Sequence, residues 1–341
     1  MRNSIHMLFT SMFLTIVFSC STPKPSMEKT AALLPVTVKG GNFMIGDSIV
    51  QFKGICLVDP GELIVLGHWG EEYIRQVSLW EPDIVRFPVH PKHLNRLGKE
   101  KYLEELGKGV DWAKKYGMYS IIDWHIIGNM KETRWQASMY HTTMEQTIDF
   151  WVSVAREYAN EPAVAFYELY NEPTDYNGEL GTLSWEELTS IYGVLLDTIR
   201  VYDQAKVALL GGLNWSYDLT GIHEYDPEFE NVAYVSHPYP QKSPEPWPEN
   251  WDNYFGFVTD KYPVFATEFG FCYEHQEGAH IPVISDEHYG DAILNYFNDK
   301  NISYSPWVYS WHWYPTLLKD STYVPSEGQG EYFYRRFTNQ H

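Results

Sequence analysis

Val164-Ala-Phe-Tyr-Glu168-Leu-Tyr-Asn171-Glu172-Pro173 is the stretch that decides the fold. It is apolar and β-prone until a proline and two polar side chains stop it. A short run that is apolar on both faces suits a parallel sheet covered by helices. Comparable runs lie at 52–57, 84–88, 119–124, 207–211, 233–237, 264–268 and 304–308. Amphipathic helical stretches separate them, most clearly at 102–116, 148–158, 185–202 and 287–297. Eight strands alternating with helices predict an α/β fold, a single (β/α)8 TIM barrel. The competing architecture is a doubly wound open sheet. No GxGxxG or GxxxxGK[ST] follows an early strand, so the nucleotide sites usual in that fold are missing. Ahead of the first strand, 36–47 predicts a short N-terminal β-hairpin with Gly40-Gly41 at its turn.

The chain has 341 residues and a formal charge of −20. Such a charge disfavours nucleic acid and anionic membranes as direct partners. Aromatics are in excess, with 13 Trp, 26 Tyr and 17 Phe, so they must fill a core, line a cleft, or both. Cys20, Cys56 and Cys272 are too few for a disulfide framework and have no zinc-like spacing. A Cys56–Cys272 bridge is possible but nothing demands it.

The apolar run 7–18 is too short to span a bilayer, which takes ~20 residues. It fits the core of a secretory signal peptide. Val17-Phe18-Ser19-Cys20 then looks like a bacterial lipoprotein signal, with Cys20 as the lipidated residue; simple secretion is the alternative. The expected organisation is a signal peptide at 1–19, a lipidated flexible tether at 20–34 and one catalytic domain at 35–341. The protein is expected to be exported, touching membrane only through the anchor.

In a (β/α)8 barrel, polar groups at the C-terminal ends of strands read as catalytic or binding groups. Here those ends carry Arg86, Asp123 and His125, Asn171 and Glu172, His237 and Tyr239, Glu268, and Trp307. Glu172 and Glu268 close the fourth and seventh strands, so the barrel aims both into one mouth. Two carboxyls across a cleft are what glycosidic cleavage needs: an acid for the leaving oxygen, a second carboxylate for the anomeric carbon. Arg86 and Tyr239 would hold Glu268 ionised, Asn171 would bind a sugar hydroxyl, and Trp307 would stack on a sugar face. Glu168 lies deeper in its strand and reads as a buried structural carboxylate. Asp123 reads as a structural acceptor. Trp311 and Trp313 follow closely enough that either could be the stacking residue. His68-Trp69, Trp135, Trp215 and Trp247 fall in predicted loops, and some of them read as outer sugar subsites. His275, His280 and His288 have no metal spacing and read as surface residues.

Asn171-Glu172-Pro173 after a strand, with Thr267-Glu268-Phe269-Gly270 later, resembles glycoside hydrolase family 5, which comprises cellulases, mannanases and related β-glycanases. The resemblance runs from about residue 52 to 313. It implies a retaining mechanism with Glu172 as acid/base and Glu268 as nucleophile. It also implies supporting roles for Arg86, His125, Asn171, His237, Tyr239 and Trp307. No cofactor or metal is implied. The expected activity is that of an exported endo-β-1,4-glycanase acting on cellulose or mixed-linkage glucan. An endo-β-1,4-mannanase is the alternative on the same scaffold. A barrel that only binds glycans is the non-enzymatic one, although such a barrel would usually have lost one of the two carboxylates.

Overall fold

The computed structural model describes residues 32–339. Cys20 and the expected signal peptide lie outside the described residues. Eight parallel strands form the central sheet: β1 Gly54–Cys56, β2 Ile84–Val89, β3 Tyr119–Trp124, β4 Val164–Glu168, β5 Val207–Gly211, β6 Val232–Val235, β7 Val264–Ala266 and β8 Ser303–Tyr304. Each pairs in parallel with the next. A parallel bridge between Lys53 and Tyr304 closes the ring. Across that seam Tyr304 N donates to Phe52 O (2.9 Å) and Cys56 N to Pro306 O (3.2 Å). The fold is a (β/α)8 barrel.

Among the described residues, seven α-helices of eight or more residues wrap it: α1 Glu71–Ser78, α2 Lys99–Lys115, α3 Met144–Tyr158, α4 Trp185–Arg200, α5 Trp247–Tyr254, α6 Glu287–Lys300 and α7 Gln329–Thr338. Between β5 and β6 the crossover is reduced to short turns at Leu213–Ser216 and Thr220–His223. Local sequence explains the helix ends. Ser184 and Glu187 form a reciprocal capping box that starts α4. On α3, Phe150, Trp151, Val154, Ala155 and Tyr158 recur at helical spacing and are buried, together with Thr147.

The barrel interior has two storeys. Inward-facing residues two apart along a strand switch from apolar to polar: Ile84 to Arg86, Ile121 to Asp123, Phe166 to Glu168, Phe265 to Thr267. The lower storey is a closed apolar cluster that includes Phe52, Ile121, Phe166, Leu209, Val235 and Phe265. An N-terminal hairpin caps it from below. Its strands Val36–Lys39 and Asn42–Ile45 pair antiparallel about Gly40-Gly41. Gly41 is required there, because a Cβ would lie 1.8 Å from the Thr259 carbonyl oxygen. Phe43 reaches from the hairpin to ring-centroid distances of 4.9 Å from Phe166 and 6.0 Å from Phe52.

Two features depart from the sequence reading. A third strand, Ser48–Val50, extends the hairpin. The end of the expected tether is docked: Leu33 packs on the lower cluster and the Leu34 carbonyl accepts from Tyr119 Oη (2.9 Å). Cys56 and Cys272 are both buried and both free, so the possible bridge between them is not made.

Candidate active site

Arg86 organises the upper storey. It stands two residues above Ile84 on β2, fully buried. Its guanidinium spends every edge on a neighbouring strand. Nε and Nη2 donate to the two oxygens of Glu168 on β4 (2.7 and 3.0 Å). Nη2 also donates to Asn171 Oδ1 (2.6 Å) and pairs with Asp123 Oδ2 on β3 (2.9 Å). Nη1 donates to Glu268 Oε1 beyond β7 (2.8 Å) and to the Cys56 thiol on β1 (3.2 Å). Burial alone would lift the Glu168 carboxyl. The charges of Arg86 and nearby His237 outweigh it and hold Glu168 at about 2. Glu168 is therefore a buried anion paired within the barrel. Asp123 is the opposite case: burial drives its carboxyl well above the usual range, against Arg86.

The two glutamates at the strand ends face each other across this layer. Glu172 is fixed by a small sheet laid over the rim, where Glu172–Pro173 pairs in parallel with Ile127–Asn129. Glu268 directly follows Thr267 above β7. An oxygen of each glutamate and a ring nitrogen of His237 all lie within 4.8 Å of one another. His237 Nδ1 contacts Glu172 Oε1 and Nε2 contacts Thr267 Oγ1, both at 2.9 Å. Thr267 passes its own proton on to Glu168 Oε1 (2.8 Å). Burial opposes a charge on this histidine, but Glu268, Glu168 and Glu172 push it up to about 9. At neutral pH it is an imidazolium donating from both nitrogens. These three residues are the one group of possible metal ligands among the described residues. Both nitrogens of His237 are already engaged by hydrogen bonds, which suits proton handling better than coordination.

Glu268 accepts from Arg86 on one oxygen and from Tyr239 Oη on the other (3.2 Å). The expected partners are thus in place, but the expected direction is not. Burial raises the Glu268 carboxyl above its usual range; His237 and Arg86 draw it down, while Glu172 and Glu168 push it further up. Four carboxyls share two cations here, so Arg86 alone does not set the charge of Glu268.

His125 and Trp307 form one wall. His125 Nδ1 contacts Asp123 Oδ2 at 2.6 Å. Burial and the neighbouring cations hold this imidazole well below its ordinary range, so it is neutral. The Trp307 ring lies parallel to it, with centroids 5.3 Å apart. Trp313 continues the stack at 5.9 Å, whereas Trp311 turns its edge to His68. All six supporting residues read from the sequence therefore meet around Glu172 and Glu268.

A family model described as cellulase (glycosyl hydrolase family 5) matches residues 48–312. The chain belongs to glycosyl hydrolase family 5. Among solved structures it is similar to the β-glucanase SdGluc5_26A of Saccharophagus degradans in complex with cellotetraose. That likeness has a TM-score of 0.87 and 36% identity, covering 94% of this chain and 98% of that one. Among curated relatives, Endoglucanase E-5 of Thermobifida fusca is 24% identical, covering 68% of this chain and 46% of its own length. Endoglucanase C of Evansella cellulosilytica is 26% identical, covering 67% and 30%. The chain thus spans less than half the length of these two curated relatives.

The rim of this family 5 barrel sorts the loop aromatics. Trp69 and Trp247 do not line the cleft. Trp69 packs on Trp112 and Phe87 behind β2, and Trp247 is buried against Trp251 and Tyr289. Trp135 packs on Tyr170. Trp215 stays at the rim, its Nε1 donating to Gln136 Oε1 (2.7 Å) with Lys242 Nζ 4.5 Å from its ring centre. It sits in a run of three left-handed residues, Asn214, Trp215 and Ser216 (φ 55°, 56°, 54°). Such a run is strained for residues with a Cβ. Ser216 Oγ donates to the Asn171 carbonyl at its inner end, and Lys242 Nζ to the Asn214 carbonyl at its outer end (2.9 Å). Three residues at the mouth were missed: His90, Tyr140 and Lys242. Burial lowers Lys242 to about 8, and the Glu172 charge opposes that shift. His90 was legible, since it follows β2 directly and shares the face of Arg86 at an even spacing.

Proposed function

We propose that this chain is a retaining endo-β-1,4-glucanase acting on cellulose or mixed-linkage β-glucan. The observation that carries the reading is the oxygen separation of Glu172 and Glu268, within 4.8 Å. So close an approach suits double displacement, with its carboxyl groups ~5–5.5 Å apart, better than inversion, which needs ~6.5–9.5 Å between them to admit a water. Glu172 gives its proton to the glycosidic oxygen as Glu268 attacks the anomeric carbon. The C–O bond to the leaving sugar breaks and a glycosyl ester forms on Glu268. Glu172, now a carboxylate, takes a proton from water. The water oxygen attacks the anomeric carbon and frees Glu268. The His237 imidazolium beside Glu172 stabilises the charge that Glu172 acquires after the first step. Asn171 Nδ2 is buried with no partner among the described residues, which fits a donor held for a sugar hydroxyl. The β-glucan choice is supported by the 36% identity to a β-glucanase complexed with cellotetraose and by the endoglucanase names of the curated relatives.

The test is reducing-sugar release from mixed-linkage glucan and from galactomannan, with Glu268→Gln as control. Release from glucan, reduced at least ~10³-fold in the control, is the expected result. Release from mannan alone would replace the substrate. Tight oligosaccharide binding without turnover would replace the enzyme by a glycan-binding barrel.

A further inference from the structure

We propose that His90, held by Asp59, is a second imidazole that accepts a hydrogen bond from a sugar hydroxyl, beside His125 in the cleft. This rests on the β-glucanase reading. Asp59 follows β1 and is fully buried. Its Oδ2 accepts from the His90 backbone N (2.7 Å) and faces His90 Nδ1 (2.9 Å). Its Oδ1 accepts from Gly61 N and from Tyr102 Oη (2.9 Å). Both Asp59 oxygens thus accept from donors around them, which turns Nδ1 of the His90 ring toward Oδ2 and leaves Nε2 as the nitrogen that faces away from Asp59.

That Nε2 bonds to no described residue. Nor is it sealed in: neighbouring His93 buries both ring nitrogens without a hydrogen bond, its Nε2 lying 3.3 Å from Glu62 Oε2, whereas His90 Nε2 is not among such enclosed atoms. The ring is 1% exposed, so this atom is where it meets open space. The surroundings are the mouth of the barrel. The His90 centroid lies 4.5 Å from His125 and 5.1 Å from Trp313, and the ring stacks on Tyr140 at 5.8 Å. Tyr140 in turn feels the charges of both Glu172 and Glu268. His90 and His125 thus repeat one arrangement: an aspartate on Nδ1, a tryptophan of the stacked wall against the ring, and Nε2 left over. A nitrogen acceptor beside an aromatic platform matches a pyranose, which offers hydroxyls at its edge and C–H groups on its face. A merely structural role would need only the backbone of residue 90, which already satisfies Asp59 Oδ2 at the start of the helix Pro91–Leu97.

The experiment compares wild type with His90→Phe and His90→Gln on cellotetraose, reading kcat, KM and Tm. Phe keeps the ring volume and removes both nitrogens; Gln restores an acceptor. One neutral hydrogen bond is worth ~0.5–1.5 kcal/mol, so His90→Phe should raise KM about 3- to 10-fold with kcat nearly unchanged. His90→Gln should recover part of the loss. His90→Leu is a second apolar replacement should the Phe variant not fold. An unchanged KM in a folded apolar variant would overturn the proposal, as would equal losses in the apolar and Gln variants. Wild-type turnover in the same assay separates the two failures. If wild type neither cleaves nor binds cellotetraose, the β-glucanase reading fails and this inference falls with it; if it cleaves, an unchanged KM removes His90 alone.

Discussion

His237 concentrates the electrostatics of the site in one ring. Its pKa rises from an ordinary 6.5 to about 9, so the folded state binds this proton more tightly than the unfolded chain does. A raised pKa stabilises fully below the unfolded value and is lost as pH climbs through the folded one. We expect wild type to lose stability between about pH 6.5 and 9, by an amount on the order of 3 kcal/mol that His237→Gln lacks. Chemical denaturation of both proteins at pH 6 and pH 9 checks this. Equal pH slopes would show that the histidine is not a cation in the fold. Glu168 works in the other direction. Held at about 2, it favours the fold above its ordinary 4.5 and loses that contribution only as pH falls toward 2.

Among the elements, the N-terminal hairpin does the work furthest from the chemistry. Phe43 is 1% exposed and closes the floor of the barrel against Phe52 and Phe166. Phe43→Ala should cost ~3–5 kcal/mol of stability, as aromatic truncations in a tight core do, with kcat unchanged at a temperature where the variant stays folded. A fall in kcat there would mean that floor and mouth are coupled. The hairpin was legible because glycines at a turn between alternating residues leave few alternatives. Its third strand was not, because Ser48–Val50 is three residues long and largely exposed, with no apolar alternation to read. The strand ends were legible for a stronger reason: in a parallel barrel every C-terminal end points to the same mouth. His90 was lost by stopping the second strand at Pro88, whereas it runs to Val89. Which of the loop tryptophans Trp69, Trp135, Trp215 and Trp247 line the cleft was not legible, because a loop has no period that tells inward from outward. Packing against neighbouring aromatics decided the burial of Trp69 and Trp247, and spacing along the chain carries no record of it.

At the scale of the molecule, a formal charge of −20 surrounds a site that we propose takes a neutral polymer. Long-range repulsion of anionic substrates is screened by salt, with a Debye length of ~10 Å at 0.1 M. Hydrolysis of carboxymethylated cellulose should therefore rise between about 10 mM and 150 mM salt, while hydrolysis of neutral mixed-linkage glucan should stay flat. Parallel rate measurements check this, and identical salt responses would assign no steering role to the charge. The two storeys of the interior carry a second consequence for the whole fold. Arg86 reaches side chains from β1, β3, β4 and the end of β7 at once. Closing eight strands into a ring requires one particular stagger between them, and sliding any strand by a residue turns its inward set outward. Only one stagger lets a single guanidinium meet all those partners. The cluster that serves the chemistry is therefore also the key that indexes the ring, and a chain that closed out of step would be left with several buried, unpaired carboxylates.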